Sequence, residues 1–117
     1  MRSHARARVS IVHKLKIAMK ESEKVIEAKL REAVKQRGGV ALKILSQYHA
    51  GLPDRLVLLP GSRAFFVETK STGCKARLLQ KKAHEMLRSL GFSMYVIDST
   101  EKVSDLMQII DLERLGL

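Results

Sequence analysis

GLPDRLVLLPGSRAFFVETK, residues 51–70, holds two runs rich in aliphatic, β-branched and aromatic side chains, at positions 55–59 and 63–70. Pro60-Gly61-Ser62 separates them. Runs of this composition on either side of a Pro-Gly insert read as an antiparallel hairpin with a tight turn. If residue 59 faces residue 63, the pairing continues outward and sets Asp54 opposite Glu68. Directly opposed residues have β-carbons about 4.5–5.5 Å apart. Side chains alternate along a strand, so Lys70 shares the face of Glu68. A slip of one residue would separate the two acids, so the alignment depends on the turn.

Two opposed carboxylates destabilise a hairpin unless something positive lies between them. Hard oxygen donors at this spacing suit Mg²⁺ or Mn²⁺. Such an ion holds a phosphodiester oxygen and makes a hydroxide nucleophile accessible near neutral pH. Lys70 would then orient or deprotonate the attacking water and offset charge on the phosphate. The bland alternative is an ordinary hairpin in which Arg55 pairs with one acid and Lys70 with another. A Glu-Thr-Lys triplet alone carries little information; the Gly-Leu-Pro-Asp-Arg at hairpin distance gives it weight.

The charge balance points the same way. Lys and Arg number 22 against 12 Asp and Glu, a net charge of +10. Such an excess supplies sequence-independent affinity for phosphate, although solubility or an acidic surface partner would also use it. The basic residues concentrate at positions 2–20 and 75–88, including Lys75, Arg77, Lys81, Lys82 and Arg88. Aromatics are 4% and Trp is absent, which disfavours base-stacking recognition of single strands and favours a duplex or branched backbone. Lys43 and Tyr48, beside the hairpin, are candidate phosphate contacts.

Other classes find no support. No apolar run reaches the roughly 18 residues of a membrane span. The lone Cys74 cannot form an internal disulfide and favours a reducing compartment such as the cytoplasm. The histidines at 4, 13, 49 and 84 have no zinc-type spacing. Gly38-Gly39 reads as a helix stop and not as a phosphate loop, so no nucleotide cofactor is expected. Residues 1–18 are basic and lack the apolar core of a secretory signal; a transit segment, a DNA-binding arm and an artificial leader all fit them. Residues 19–117 read as a single domain with an adequate core.

The remaining elements follow from periodicity. Residues 12–36 have helical composition, with Ile26, Leu30, Ala33 and Val34 as the apolar stripe. Residues 40–48 read as a strand. Residues 75–90 form an amphipathic helix with Leu79, Ala83, Met86, Leu87 and Leu90 inward, closed by Gly91. A strand at 92–97 and a helix at 101–115 complete the chain. The crossover between the Glu68 and Tyr95 strands should be parallel and right-handed. This predicts an α/β fold, a mixed sheet of about four strands flanked by helices in the order α-β-β-β-α-β-α. The apolar positions of the last helix (Val103, Leu106, Met107, Ile110, Leu112, Leu115) exceed one docking face, making it a candidate dimer surface unless the fold buries them.

The ordered set resembles the PD-(D/E)XK nucleases, and in its Gly-x-Pro-Asp-Arg form their virus-type replication-repair (VRR-NUC) branch. The likeness runs over residues 20–100: an acidic helix, Gly38-Gly39, Ala41-Leu42-Lys43, the segments 51–55 and 66–70, Gln80-x-x-x-His84, and Asp98 after a strand. The resemblance implies a restriction-endonuclease-like core, with Asp54 and Glu68 as metal ligands beside the Thr69 carbonyl, and Lys70 as the catalytic lysine. It further implies a helix-one acid at the metal, Glu27 by the Ile-Glu-x-x-Leu pattern, with Glu23 as the alternative. The bland partner of Glu27 is Arg31, one turn on. Gln80 is implied near the active site, and Arg55, Lys43 and the 75–82 cations on DNA. A stand-alone domain of this branch is expected to cut branched DNA, such as four-way junctions, as a homodimer. The rival expectation is a non-catalytic basic protein that keeps the nuclease fold.

Overall fold

The computed structural model describes residues 20–46 and 49–117. The elements run α1 (Glu23–Gln36), β1 (Val40–Lys43), β2 (Arg55–Leu59), β3 (Arg63–Thr69), α2 (Leu78–Ser89), β4 (Met94–Ile97) and α3 (Thr100–Arg114). The expected order of elements holds. The sheet runs β1-β2-β3-β4. β1–β2 and β2–β3 are antiparallel, and β3–β4 is parallel. Leu59 pairs with Arg63 and Arg55 with Val67, the register expected from the turn. That register puts Asp54 and Glu68 across from each other, and the Asp54 backbone N–H donates to Glu68 Oε2 at 3.1 Å.

Several boundaries differ from the sequence reading. α1 begins at Glu23 because the Ser22 hydroxyl caps the helix by accepting from Val25 N; the expected helical residues 12–19 lie outside the described residues. β1 stops at Lys43 and not at 48: the Ile44 N–H still bonds the Asp54 carbonyl, but nothing extends the ladder, and Tyr48 lies outside the described residues. α2 starts at Leu78, where the Gln80 side chain accepts from Arg77 N at 2.8 Å. β4 begins two residues late, at Met94.

One core fills the space between α1, α3 and a single face of the sheet. Ile26, Leu30, Ala33 and Val34 of α1 meet Ala41, Val57, Leu59, Phe65, Val67 and Ile97 of the strands and Val103, Leu106, Met107 and Ile110 of α3. Four of the six apolar positions named as a dimer surface on the last helix are therefore spent inside the monomer. Leu112 and Leu115 stay exposed.

The opposite sheet face has thinner cover. On α2, only Ala83, His84 and Leu87 are buried. Leu79, Met86 and Leu90 were expected inward but are exposed, because α2 packs mainly beside the edge strand β4 and so buries a narrower stripe than its apolar content suggests. Val40, Leu42 and Leu58 are likewise exposed on that face.

Candidate active site

The open end of the β2–β3 hairpin carries the candidate residues, and the strands sort them onto two sides. Asp54 precedes β2; Glu68 and Thr69 end β3; Lys70 follows it. Thr69 points toward α1 and Glu68 toward α2, as alternation along a strand requires.

On the α1 side, Glu23, Glu27 and Asp54 each bring a carboxylate oxygen within 4.8 Å of the others. Asp54 accepts from the Thr69 backbone N–H at 2.8 Å and from the Thr69 hydroxyl. That hydroxyl also lies 3.3 Å from Glu27 Oε1. A hydroxyl has one proton to give, so two carboxylates contend for it. Burial raises the pKa of Asp54; the Thr69 bonds oppose this, and proton sharing with Glu27 adds to it. The sequence reading offered Glu27 and Glu23 as alternatives, and the fold brings both to Asp54.

Arg55 departs from its expected place. It is 8% exposed, with one guanidinium nitrogen 3.5 Å from Glu27 and another donating to the Ala41 carbonyl at 3.2 Å. A side chain this enclosed cannot meet DNA; it is the ion-pair partner of Glu27, the role expected of Arg31. β2 residues at odd positions face α1, and position 55 is one of them.

On the α2 side, Glu68 Oε1 lies 3.5 Å from Lys70 Nζ and accepts from Gln80 Nε2 at 3.2 Å. The same glutamine amide caps α2 through its oxygen, which fixes the direction of its nitrogen. Glu68 is 6% exposed. Burial and the charge of Asp54 push its pKa up to about 7, against the pull of Lys70. Gly51 lets these parts approach. Its φ is +85°, and a β-carbon there would lie 2.5 Å from the Leu79 carbonyl oxygen and 2.8 Å from Gln80 N. Only glycine tolerates both conditions, so the segment leading to Asp54 can lie directly on the first turn of α2.

Lys43, Lys75, Arg77, Lys81 and Lys82 are all exposed, the last four on α2 and the loop before it. His84, in contrast, is 3% exposed and cannot reach DNA. Cys74 is exposed in the loop before α2. Among the described residues no helix is long and apolar enough to cross a membrane.

The donor set fits a hard divalent cation. Its oxygens converge, its carboxylates are partly desolvated, and a single hydroxyl proton is too few to separate them.

A mixed sheet with carboxylates, a lysine and a glutamine gathered at the open end of one hairpin defines a PD-(D/E)XK-type nuclease fold. No family model matches the sequence. A protein of Acyrthosiphon pisum secondary endosymbiont phage 1, "Putative nuclease p44", is 40% identical over 79 residues, which are 68% of this chain and 85% of that protein. A solved VRR-NUC domain superposes with a TM-score of 0.70 at 28% identity, covering 75% of this chain and 97% of that domain. The chain belongs to the VRR-NUC family of nucleases.

Proposed function

We propose that this protein is an Mg²⁺- or Mn²⁺-dependent endodeoxyribonuclease that hydrolyses phosphodiester bonds of branched DNA, four-way junctions foremost. The observation that carries the reading is the convergence of Glu23, Glu27 and Asp54 beside the Glu68–Lys70–Gln80 cluster. Asp54, Glu68 and Glu27, with Glu23 and the Thr69 carbonyl nearby, would hold the cation. When bound, it polarises the phosphodiester and lowers the pKa of an attacking water.

The chain's own groups do the rest. Thr69 fixes the Asp54 carboxylate through two hydrogen bonds. Gln80 and Lys70 both address Glu68 Oε1, so the lysine ammonium is held where a water and a phosphate oxygen would meet. From there it orients the water and offsets charge building on the phosphate. The exposed Lys43, Lys75, Arg77, Lys81 and Lys82 supply backbone affinity, with the basic residues at 2–20. Glu21, which follows them, is tied to Thr72 through Glu21 N to Thr72 Oγ1 (3.0 Å) and Thr72 N to Glu21 O (3.1 Å). That joint lies two residues past Lys70.

A homodimer would place two such sites on the two symmetric strands of a junction. The exposed apolar residues Val40, Leu42 and Leu58 of the sheet, with Leu112 and Leu115, favour association. A phage protein among the relatives supports a role in phage or prophage replication, recombination or repair, in the cytoplasm of the bacterial cell.

The test is cleavage of labelled four-way junction, flap and linear duplex side by side, in Mg²⁺, Mn²⁺ or EDTA. Metal-dependent cutting strongest on the junction is expected. Binding without cleavage in either metal would sink the nuclease reading and leave the rival, a basic DNA-binding protein that retains the fold.

A further inference from the structure

β2 turns residues 55, 57 and 59 toward α1, and these are Arg, Val and Leu, all buried. A guanidinium among core aliphatics is costly to desolvate. This one is incompletely satisfied. Its Nη1 donates to the Ala41 carbonyl at 3.2 Å and its Nη2 lies 3.5 Å from Glu27 Oε2, while its Nε is buried with no hydrogen-bond partner. For stability alone it is a poor occupant, since an apolar side chain of similar volume often serves a buried ion-pair position as well or better.

The surroundings supply a reason for the charge. Glu23, Glu27 and Asp54 bring carboxylate oxygens within 4.8 Å of one another. Among the described residues, the ion pair this trio makes is that of Glu27 with Arg55. Three carboxylates against one guanidinium leave two negative charges, the charge of a single divalent cation. Two-metal hydrolytic sites hold their ions about 3.5–4 Å apart, and a guanidinium fixed on one ligand opposes a second ion by like-charge repulsion. Glu27 has another anchor, the Thr69 hydroxyl 3.3 Å from its Oε1, so what Arg55 adds to it is charge more than grip.

We propose that Arg55 is the fixed counter-cation of the α1 flank: its guanidinium neutralises one carboxylate of the Glu23–Glu27–Asp54 trio, lowers the trio's affinity for divalent ions and limits it to one. This role rests on the cation site proposed above and holds whichever DNA is cut.

Mn²⁺ titration of the full chain without DNA, read from the electron paramagnetic resonance signal of the free ion, tests it. The wild type should bind one Mn²⁺, and Asp54→Asn should lose it. Arg55→Met, uncharged and of similar length, should bind Mn²⁺ about tenfold more tightly, the scale of one like charge removed from beside the ion in a water-like dielectric. Arg55→Gln, which keeps a donor for the Ala41 carbonyl without the charge, should follow Arg55→Met. Arg55→Lys, which keeps the charge, should bind as the wild type does. Unchanged or weaker binding by a natively melting Arg55→Met or Arg55→Gln overturns the role of Arg55. Two ions of similar affinity on the wild type overturn it as well, whether or not either variant folds. If neither the wild type nor any variant binds Mn²⁺, the cation site itself fails, and the counter-cation with it.

Discussion

The α1 and α2 flanks of the hairpin's open end are built from the same residue types and balanced differently. On the α1 flank three carboxylates converge, two of them on one hydroxyl, and of the three Arg55 pairs with Glu27. On the α2 flank one carboxylate has a lysine and an amide of its own. The first arrangement is short of positive charge and the second is nearly complete. A site organised this way gathers most of the cation's carboxylates on one flank and holds the lysine that handles the nucleophile on the other, with Asp54 and Glu68 joining the two.

The comparison breaks most sharply if the flanks contribute alike. Lys70→Ala and Asp54→Asn are each expected to lower junction cleavage by about 10²–10³-fold, but only Asp54→Asn should also abolish the rise in melting temperature that Mg²⁺ gives the wild type. Thermal denaturation with Mg²⁺ and with EDTA, alongside cleavage rates, checks both. A Lys70→Ala variant that loses the metal response would erase the division.

Within the α1 flank, Glu27→Gln should reduce metal-dependent cleavage by about tenfold or more, and more than Glu23→Gln does. Glu27 touches Thr69 and Arg55, while Glu23 is exposed on the first turn of α1. Removing the Glu27 charge also leaves a buried guanidinium unpaired, a loss of about 3–5 kcal/mol in fully buried cases, which urea denaturation would register in part. The opposite order of cleavage would exchange their roles.

The α2 flank makes a pH prediction. The fold raises the Glu68 pKa to about 7 from 4.5, so the folded state binds this proton more tightly than the unfolded chain. Its stabilising contribution is complete below about pH 4.5 and is lost as the pH climbs toward 7. In EDTA the protein should be less stable at pH 8 than at pH 5 by about 1–3 kcal/mol, and Glu68→Gln should shrink the difference. Denaturant midpoints at the two pH values decide it; an unchanged difference in Glu68→Gln would assign the dependence to another group.

The smallest effect concerns the outer surface of α2. Lys82→Ala should weaken junction binding in EDTA only slightly and lower the slope of log affinity against log salt by about 1. An unchanged slope would move the DNA path off this helix.

Much of this was legible in residues 51–70. The Pro-Gly turn fixed the register, and the register placed Asp54 across from Glu68 before any tertiary contact was known. Gln80 and Glu27 entered through family resemblance, since nothing local marks a helix residue as facing a site. Arg55 was misplaced because a basic residue after an Asp reads as exposed, while its burial depends on α1 crossing that sheet face. His84 left no apolar signature, and only the packing of α2 on the sheet buries it. The last helix shows the same limit, since only packing against α1 spends Val103, Leu106, Met107 and Ile110 inside the monomer.

By itself the sequence determined the order of elements, the hairpin register and the Glu68–Lys70 pairing, because strand alternation and turn length are local constraints; the expectation that the Asp54 and Glu68 carboxylates share one face did not hold, since Asp54 turns to α1 and Glu68 to α2. The tertiary structure alone decided that Glu23 and Glu27 both join Asp54, that Arg55 faces inward, and that Gln80 meets Glu68. Those contacts join residues separated by 12 to 31 positions, and over such distances the packing of helices on a sheet, and no periodicity in the chain, selects which side chains meet.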